Sequence, residues 1–199
     1  SKLWELREPL LIIHLPATRK VTAIGLGISV VLGIGLAVLM DASPVVEQAL
    51  YPIVIASQTI PTTAIAPLFV VWFGYGIWSK IVVTILMTFF PITITVFDGF
   101  RSVKREMEEL LIGYGSTKKD IFIELKLPTA MPHFISAIKM AIPLSVIGAA
   151  IGEWLGAQSG LGYYLLRVKN SYMLDKVFAC VLVIVALSLC MNGLIRLYQ

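Results

Sequence analysis

Charge is what this chain has least of. Its 199 residues carry 16 Lys and Arg and 12 Asp and Glu, 14% in all, against a hydrophobic share of 58% and a mean hydropathy of +0.88. Soluble domains run nearer a quarter charged, so this composition belongs to the membrane class. Cysteine is scarce too. Cys180 and Cys190 lie in one apolar run, about 80° apart around an ideal helix, which excludes a bridge and leaves both as packing residues. The two histidines, His14 and His133, are isolated, with no Cys or carboxylate at ligand spacing, so no metal and no cofactor is expected. No Gly-Lys pair occurs, which excludes a phosphate-cradling loop: "GYGSTKK" places Ser-Thr before Lys-Lys, the reverse of the required order. The net charge of +4 is accounted for by lipid headgroups and loop topology rather than by nucleic acid.

Long apolar runs are abundant. Residues 21–40, 81–97 and 177–195 are each uncharged, residues 48–79 are uncharged for longer than one helix needs, and 134–155 form a further run with Lys139 and Glu153 near its ends. About twenty apolar residues cross the hydrocarbon as a helix, so five spans are expected. The runs are continuously apolar rather than alternating, which excludes a β-barrel. The expected fold is an all-α, polytopic helical membrane bundle forming one transmembrane domain over 1–199. In the first span Gly25, Ser29, Gly33 and Ala37 recur every fourth residue, a seam that permits close approach of a neighbouring helix. Pro52, Pro61, Pro67 and Pro91 predict broken or kinked spans. Gln58, Thr59, Pro61, Thr62 and Thr63 cluster within the longest run. Polar groups beside a helix break point to a solute path; the alternative is hydroxyls bonded back to their own helix.

Residues 101–128 are the exception. They hold eleven of the 28 charged residues, and burying those in lipid would cost roughly 30 kcal/mol on insertion scales, so the segment lies outside the bilayer. "KREMEELLI" forms a helix with acids near its start, Gly113 and Gly115 break it, Ser116 or Thr117 caps a second piece, and Pro128 stops that piece. Ile121, Phe122, Leu125 and Leu127 give the second piece one apolar face. A hydrated pair of helices with such a face suits contact with another protein.

This segment resembles the cytoplasmic loop of the binding-protein-dependent ABC importer permeases of type I, whose spacing is E-A-A-x3-G-x9-I-x-L-P. Glu109, Gly115, Leu127 and Pro128 fall in register, while Leu110 and Leu111 replace the alanines and Leu125 the isoleucine. "IPTTAIAPLFVVWFGYG" (60–76) and "GEWLGAQSGLGYYLL" (152–166) are similar to stretches of the nitrate, sulfonate, taurine and pyrimidine-precursor branch. The resemblance covers roughly 20 to 197. It implies a bacterial inner-membrane, multi-pass permease of two copies, an ATPase partner that hydrolyses ATP in its place, an extracytoplasmic solute-binding protein, and an upstream span before Ser1. It further implies that 101–128 is the coupling loop: Glu109 pairs with a basic residue of the ATPase, Gly115 supplies a turn, and Tyr114, Ser116, Lys118, Leu127 and Pro128 share the contact. The solute leans toward a thiamine pyrimidine precursor, with sulfonate, taurine, nitrate or riboflavin as rivals.

Loop charges are balanced across the two faces, so orientation, with 101–128 inside, rests on the motif. Glu153 is read either as touching solute or its delivery protein, or as a hydrated interfacial carboxylate. Trp72, Trp78, Tyr163 and Tyr164 sit where an aromatic belt would. A stand-alone secondary transporter or channel would need ion-coupling carboxylates at the span centres, where none occurs, and an intramembrane enzyme would need a catalytic set that is missing.

Overall fold

A computed structural model describes residues 8–196. Every regular element among them is helical: α1 (Leu15–Ala42, entered through a π-turn Glu8–His14), α2 (Pro44–Ser57), α3 (Thr62–Phe73), α4 (Ile77–Arg101), α5 (Arg105–Gly113), α6 (Lys118–Ile121), a π-turn Phe122–Lys126, α7 (Leu127–Trp154), α8 (Leu161–Asn170) and α9 (Leu174–Arg196). Four of these stretches are long and apolar enough to cross a membrane, and the bent pair α2 and α3 makes up to five. The expected all-α membrane fold with about five spans is therefore observed. Pro91 and Pro143 lie within uninterrupted helices, whereas the long run 48–79 is divided by the break at 58–61.

Two expectations about the second piece of the charged segment change. Pro128 does not stop a helix: the chain stays helical from Lys118 through Trp154. A proline removes one backbone donor, and local π winding lets neighbouring groups re-satisfy the freed carbonyls. Here the π-turn Phe122–Lys126 sits immediately before Leu127 and Pro128, and the Leu127 N–H donates back five residues to the Phe122 carbonyl. The second piece of the charged segment is thus the leading turn of a span. Its apolar face is also narrower than expected, with Ile121 buried, Phe122 and Leu125 half-buried and Leu127 exposed.

The described residues fall into two compact units, one of residues up to 29, 60–88 and from 141 onward, the other of residues 30–59 and 89–140. Lipid tails are as apolar as leucine, so helices in a membrane are held by close packing and polar bonds rather than by expulsion of water. The first unit follows that rule. A Cβ at Gly25 would stand 2.6 Å from Thr84 Cγ2, one at Gly148 2.9 Å from Thr84 Cα, and one at Gly152 2.8 Å from Lys80 Cα. Small residues of α1 and α7 thereby flank α4 on two sides. Thr88 donates to Ser29 Oγ at 2.6 Å, with both side chains fully buried. Val21, Ile81 and Ala149 fill the core between these helices.

The second unit uses the same device: a Cβ at Gly33 would meet Ile92 Cγ2 at 2.9 Å, Ala37 is fully buried, and Gly99 lies under His133. Phe97 and Phe100 are buried, their rings tilted against Tyr51 at 5.9 Å and Phe122 at 5.3 Å respectively. The four-residue repeat of α1 is thus the packing seam its spacing suggested. By contrast, α9 is hardly buried, and Phe178, Leu182, Leu189 and Leu194 face outward.

Candidate functional site

The charged segment is built by local rules. α5 starts from an extended Lys104, with Glu106 and Glu108 in its first turn favoured by the helix dipole. It ends where Gly115 takes φ +87°, so that Gly115 N–H donates to the Ile112 carbonyl at 2.9 Å and Ser116 N–H to the Leu111 carbonyl at 3.0 Å. That pair of bonds is a Schellman closure, which calls for a residue at positive φ. Thr117 then opens α6 through a reciprocal cap: its hydroxyl accepts from Asp120 N–H, and Asp120 accepts from Thr117 N–H at 2.8 Å. Of the two capping candidates, the structure selects Thr117.

No side chain of α5 is buried. Met107, Leu110, Ile112 and Tyr114 are all more than half exposed, Tyr114 at 82%. Glu109 is exposed and pairs at 2.7 Å with the still more exposed Arg105 one turn earlier. Pairs of this kind contribute ~0.3–0.5 kcal/mol, so a competing base could capture Glu109 at little cost. Lys118 and Pro128 are exposed as well, and Ser116 is half-buried. The residues expected to meet a partner therefore stand at or near the surface of one short stretch.

Sequence reading missed what lies beneath. Lys126 Nζ is 2.8 Å from Asp41 Oδ1 and 3.3 Å from Glu108 Oε1. The three groups border a cleft of about 480 Å³ whose walls include Ala42, Ile112 and Phe122. Lys126 and Asp41 are 85 positions apart, a separation that no local pattern could have bridged.

The residues expected along a solute path take ordinary backbone roles at the break. Gln58 and Thr59 close α2, where the Thr59 hydroxyl donates to the Ala56 carbonyl at 2.7 Å, as the helix-bonded alternative required. Pro61, extended at φ −62° and ψ 112°, introduces α3. Gln58 and Thr63 are exposed and Thr62 half-buried.

Glu153 is a correction. Instead of a hydrated interfacial group it is 1% exposed. Its oxygens lie 2.8 and 3.0 Å from the Thr18 hydroxyl, which donates to the carboxyl, and Gly162 N–H donates to Oε2 at 2.8 Å. Thr18 in turn accepts from Leu161 N–H at 2.8 Å, and His14 Nδ1 accepts from Gly160 N–H at 3.1 Å. Gly156 and Gly160, at φ +124° and +127°, fold the chain back so that these amides reach the carboxyl. A buried polar group needs such partners; here one, Thr18, is remote in sequence, and the other, Gly162, is brought back by the turn that follows the span. Tyr164 is likewise buried, packed on the His14 ring at 5.1 Å, and does not join an aromatic belt. Trp72 and Trp78 are exposed.

The family model described as "Binding-protein-dependent transport system inner membrane component" matches residues 15–199. The chain is 49% identical over 180 residues, 90% of its length and 72% of the relative's, to the formylaminopyrimidine transport permease protein ThiX of Halalkalibacterium halodurans. It is 31% identical over 153 residues to the riboflavin transport system permease protein RibX of Chloroflexus aurantiacus, covering 77% and 57% of the two chains. A chain of the MetNI methionine ABC transporter, solved in inward-facing conformations, superposes with a TM-score of 0.73 at 19% identity, over 96% of this chain and 99% of that one. That likeness concerns the fold.

Proposed function

Because the chain belongs to the family of inner-membrane components of binding-protein-dependent transport systems, we propose that it is the permease of an importer for a formylaminopyrimidine-type solute. Two copies would enclose the path, a separate ATPase would drive it, and an extracytoplasmic binding protein would deliver the solute. The observation that carries the solute is the 49% identity to a formylaminopyrimidine permease over 90% of the chain.

The coupling role belongs to α5 and the turn that follows it. An exposed helix end bearing Met107, Leu110 and Tyr114 beside Glu109 offers an ATPase an apolar contact with one charge to set register. When ATP draws two ATPase subunits together, a helix seated in each moves with them, and the attached spans exchange inward for outward access.

The test of solute is uptake into proteoliposomes holding the permease and its ATPase, with ATP enclosed and the binding protein outside. Saturable import of labelled formylaminopyrimidine, undiminished by excess taurine or riboflavin, is expected. Import of taurine or riboflavin in its place would reassign the transporter.

A further inference from the structure

Lys126 occupies a position that the coupling reading alone does not use. It closes the π-turn Phe122–Lys126 at the foot of α7, and its ammonium group joins Asp41 at the end of α1 to Glu108 on α5. The side chains of Lys126 and Asp41 are 17% and 11% exposed, and that of Glu108 32%. The outer pair Arg105–Glu109, by comparison, is 89% and 60% exposed. Screened surface pairs transmit little, while a shielded charge holds its partners because separating them leaves a charge unpaired away from water. α5 buries none of its own side chains, so apolar packing does not lock it to the rest of its unit. Its Glu108 instead reaches Lys126 across the cleft that both residues line. Wide helical turns of the kind that ends at Lys126 occur frequently at functional sites.

We propose that Lys126 is a positioning residue of the transport cycle, the link through which displacement of α5 is passed to the end of α1 and the foot of α7. This rests on the reading of α5 as the helix that the ATPase moves. Asp41 is the fixed arm, at 2.8 Å, and Glu108 the arm that pulls, at 3.3 Å. Cutting the Glu108 arm leaves Lys126 neutralised by Asp41, so folding is spared while the link is lost.

The experiment measures solute imported per ATP hydrolysed in proteoliposomes containing the complete transporter, for wild type, Glu108→Gln and Glu108→Asp. Glu108→Gln is expected to assemble with the ATPase and to hydrolyse ATP, with its import-to-hydrolysis ratio lowered roughly tenfold, the equivalent of one lost charge-assisted bond. Glu108→Asp restores part of the ratio. A second variant, Asp41→Asn with Glu108→Gln and Lys126→Met, leaves no shielded charge unpaired. It would behave as wild type if the cluster were only structural, and is expected to be as uncoupled as Glu108→Gln. An unchanged ratio in either variant, or loss of assembly with a normal ratio in the complexes that remain, overturns the proposal. Failure of the underlying reading looks different: Glu109→Lys would then still bind the ATPase and transport.

Discussion

Gly160→Val should leave no folded permease to extract from the membrane. Gly160 has φ +127° and ψ 157°, a region essentially reserved for glycine, and strain there costs about 1–3 kcal/mol. The new Cβ would overlap the carboxyl carbon and both oxygens of Glu153. The carboxyl cannot retreat without abandoning Thr18 and Gly162 N–H, and each buried group left unsatisfied costs roughly 1–3 kcal/mol. Together these approach the ~5–15 kcal/mol that separates folded from unfolded domains. Removing the carboxyl with Glu153→Ala should have a similar, smaller effect. Glu153→Gln, which keeps the shape and one acceptor, should cost only about 1 kcal/mol. Monodispersity and thermal unfolding of the detergent-extracted protein give the readout. A Gly160→Val permease as stable as wild type would mean that the buried carboxyl does not hold the 156–162 turn.

Glu109→Lys should fold normally and still abolish uptake. The side chain is exposed and its pair with Arg105 contributes little to stability, so reversal should not disturb the permease itself. At an interface with a basic residue of the ATPase, loss of a desolvated charge partner costs about 2–5 kcal/mol, roughly 30-fold to several thousand-fold in affinity. Co-purification of the ATPase is therefore expected to fail. Gly115 tests the same contact by a different route. Nothing lies within 4 Å of a Cβ there, so any penalty comes from the backbone at φ +87°. Uptake should fall in the order Gly115→Asn, Gly115→Ala, Gly115→Val, because Asn tolerates positive φ and a β-branched residue does not. Equal uptake by all three would show that the Schellman turn is dispensable.

Much of this molecule was legible in its sequence, and the boundary between legible and hidden is physical. Spans are announced by apolar length, the α1 seam by four-residue spacing of Gly25, Ser29, Gly33 and Ala37, and the turn after α5 by a glycine where a helix must end. Each is a short-range property of the chain. Pro128 misled because proline is a reliable terminator in water, whereas a span can absorb it through a π-turn. Glu153 misled because a carboxyl near the end of a span is ordinarily wet, and the groups that bury it, Thr18 and the 160–162 amides, come into reach only after folding. The Asp41–Lys126–Glu108 cluster was invisible for the same reason: three unremarkable charges, brought together by tertiary structure.

The central claim is that α5 faces the cytoplasm and is covered by an ATPase. It is tested most directly by Tyr114→Cys at the end of α5, where Tyr114 is 82% exposed, in a chain whose exposed Cys190 has been changed to serine and whose other cysteine, Cys180, is buried. Labelling with a membrane-impermeant maleimide should occur in inside-out vesicles, should be absent in right-side-out vesicles, and should be suppressed when the ATPase is added to the inside-out vesicles. Labelling from the outer face, or labelling indifferent to the ATPase, would contradict the account.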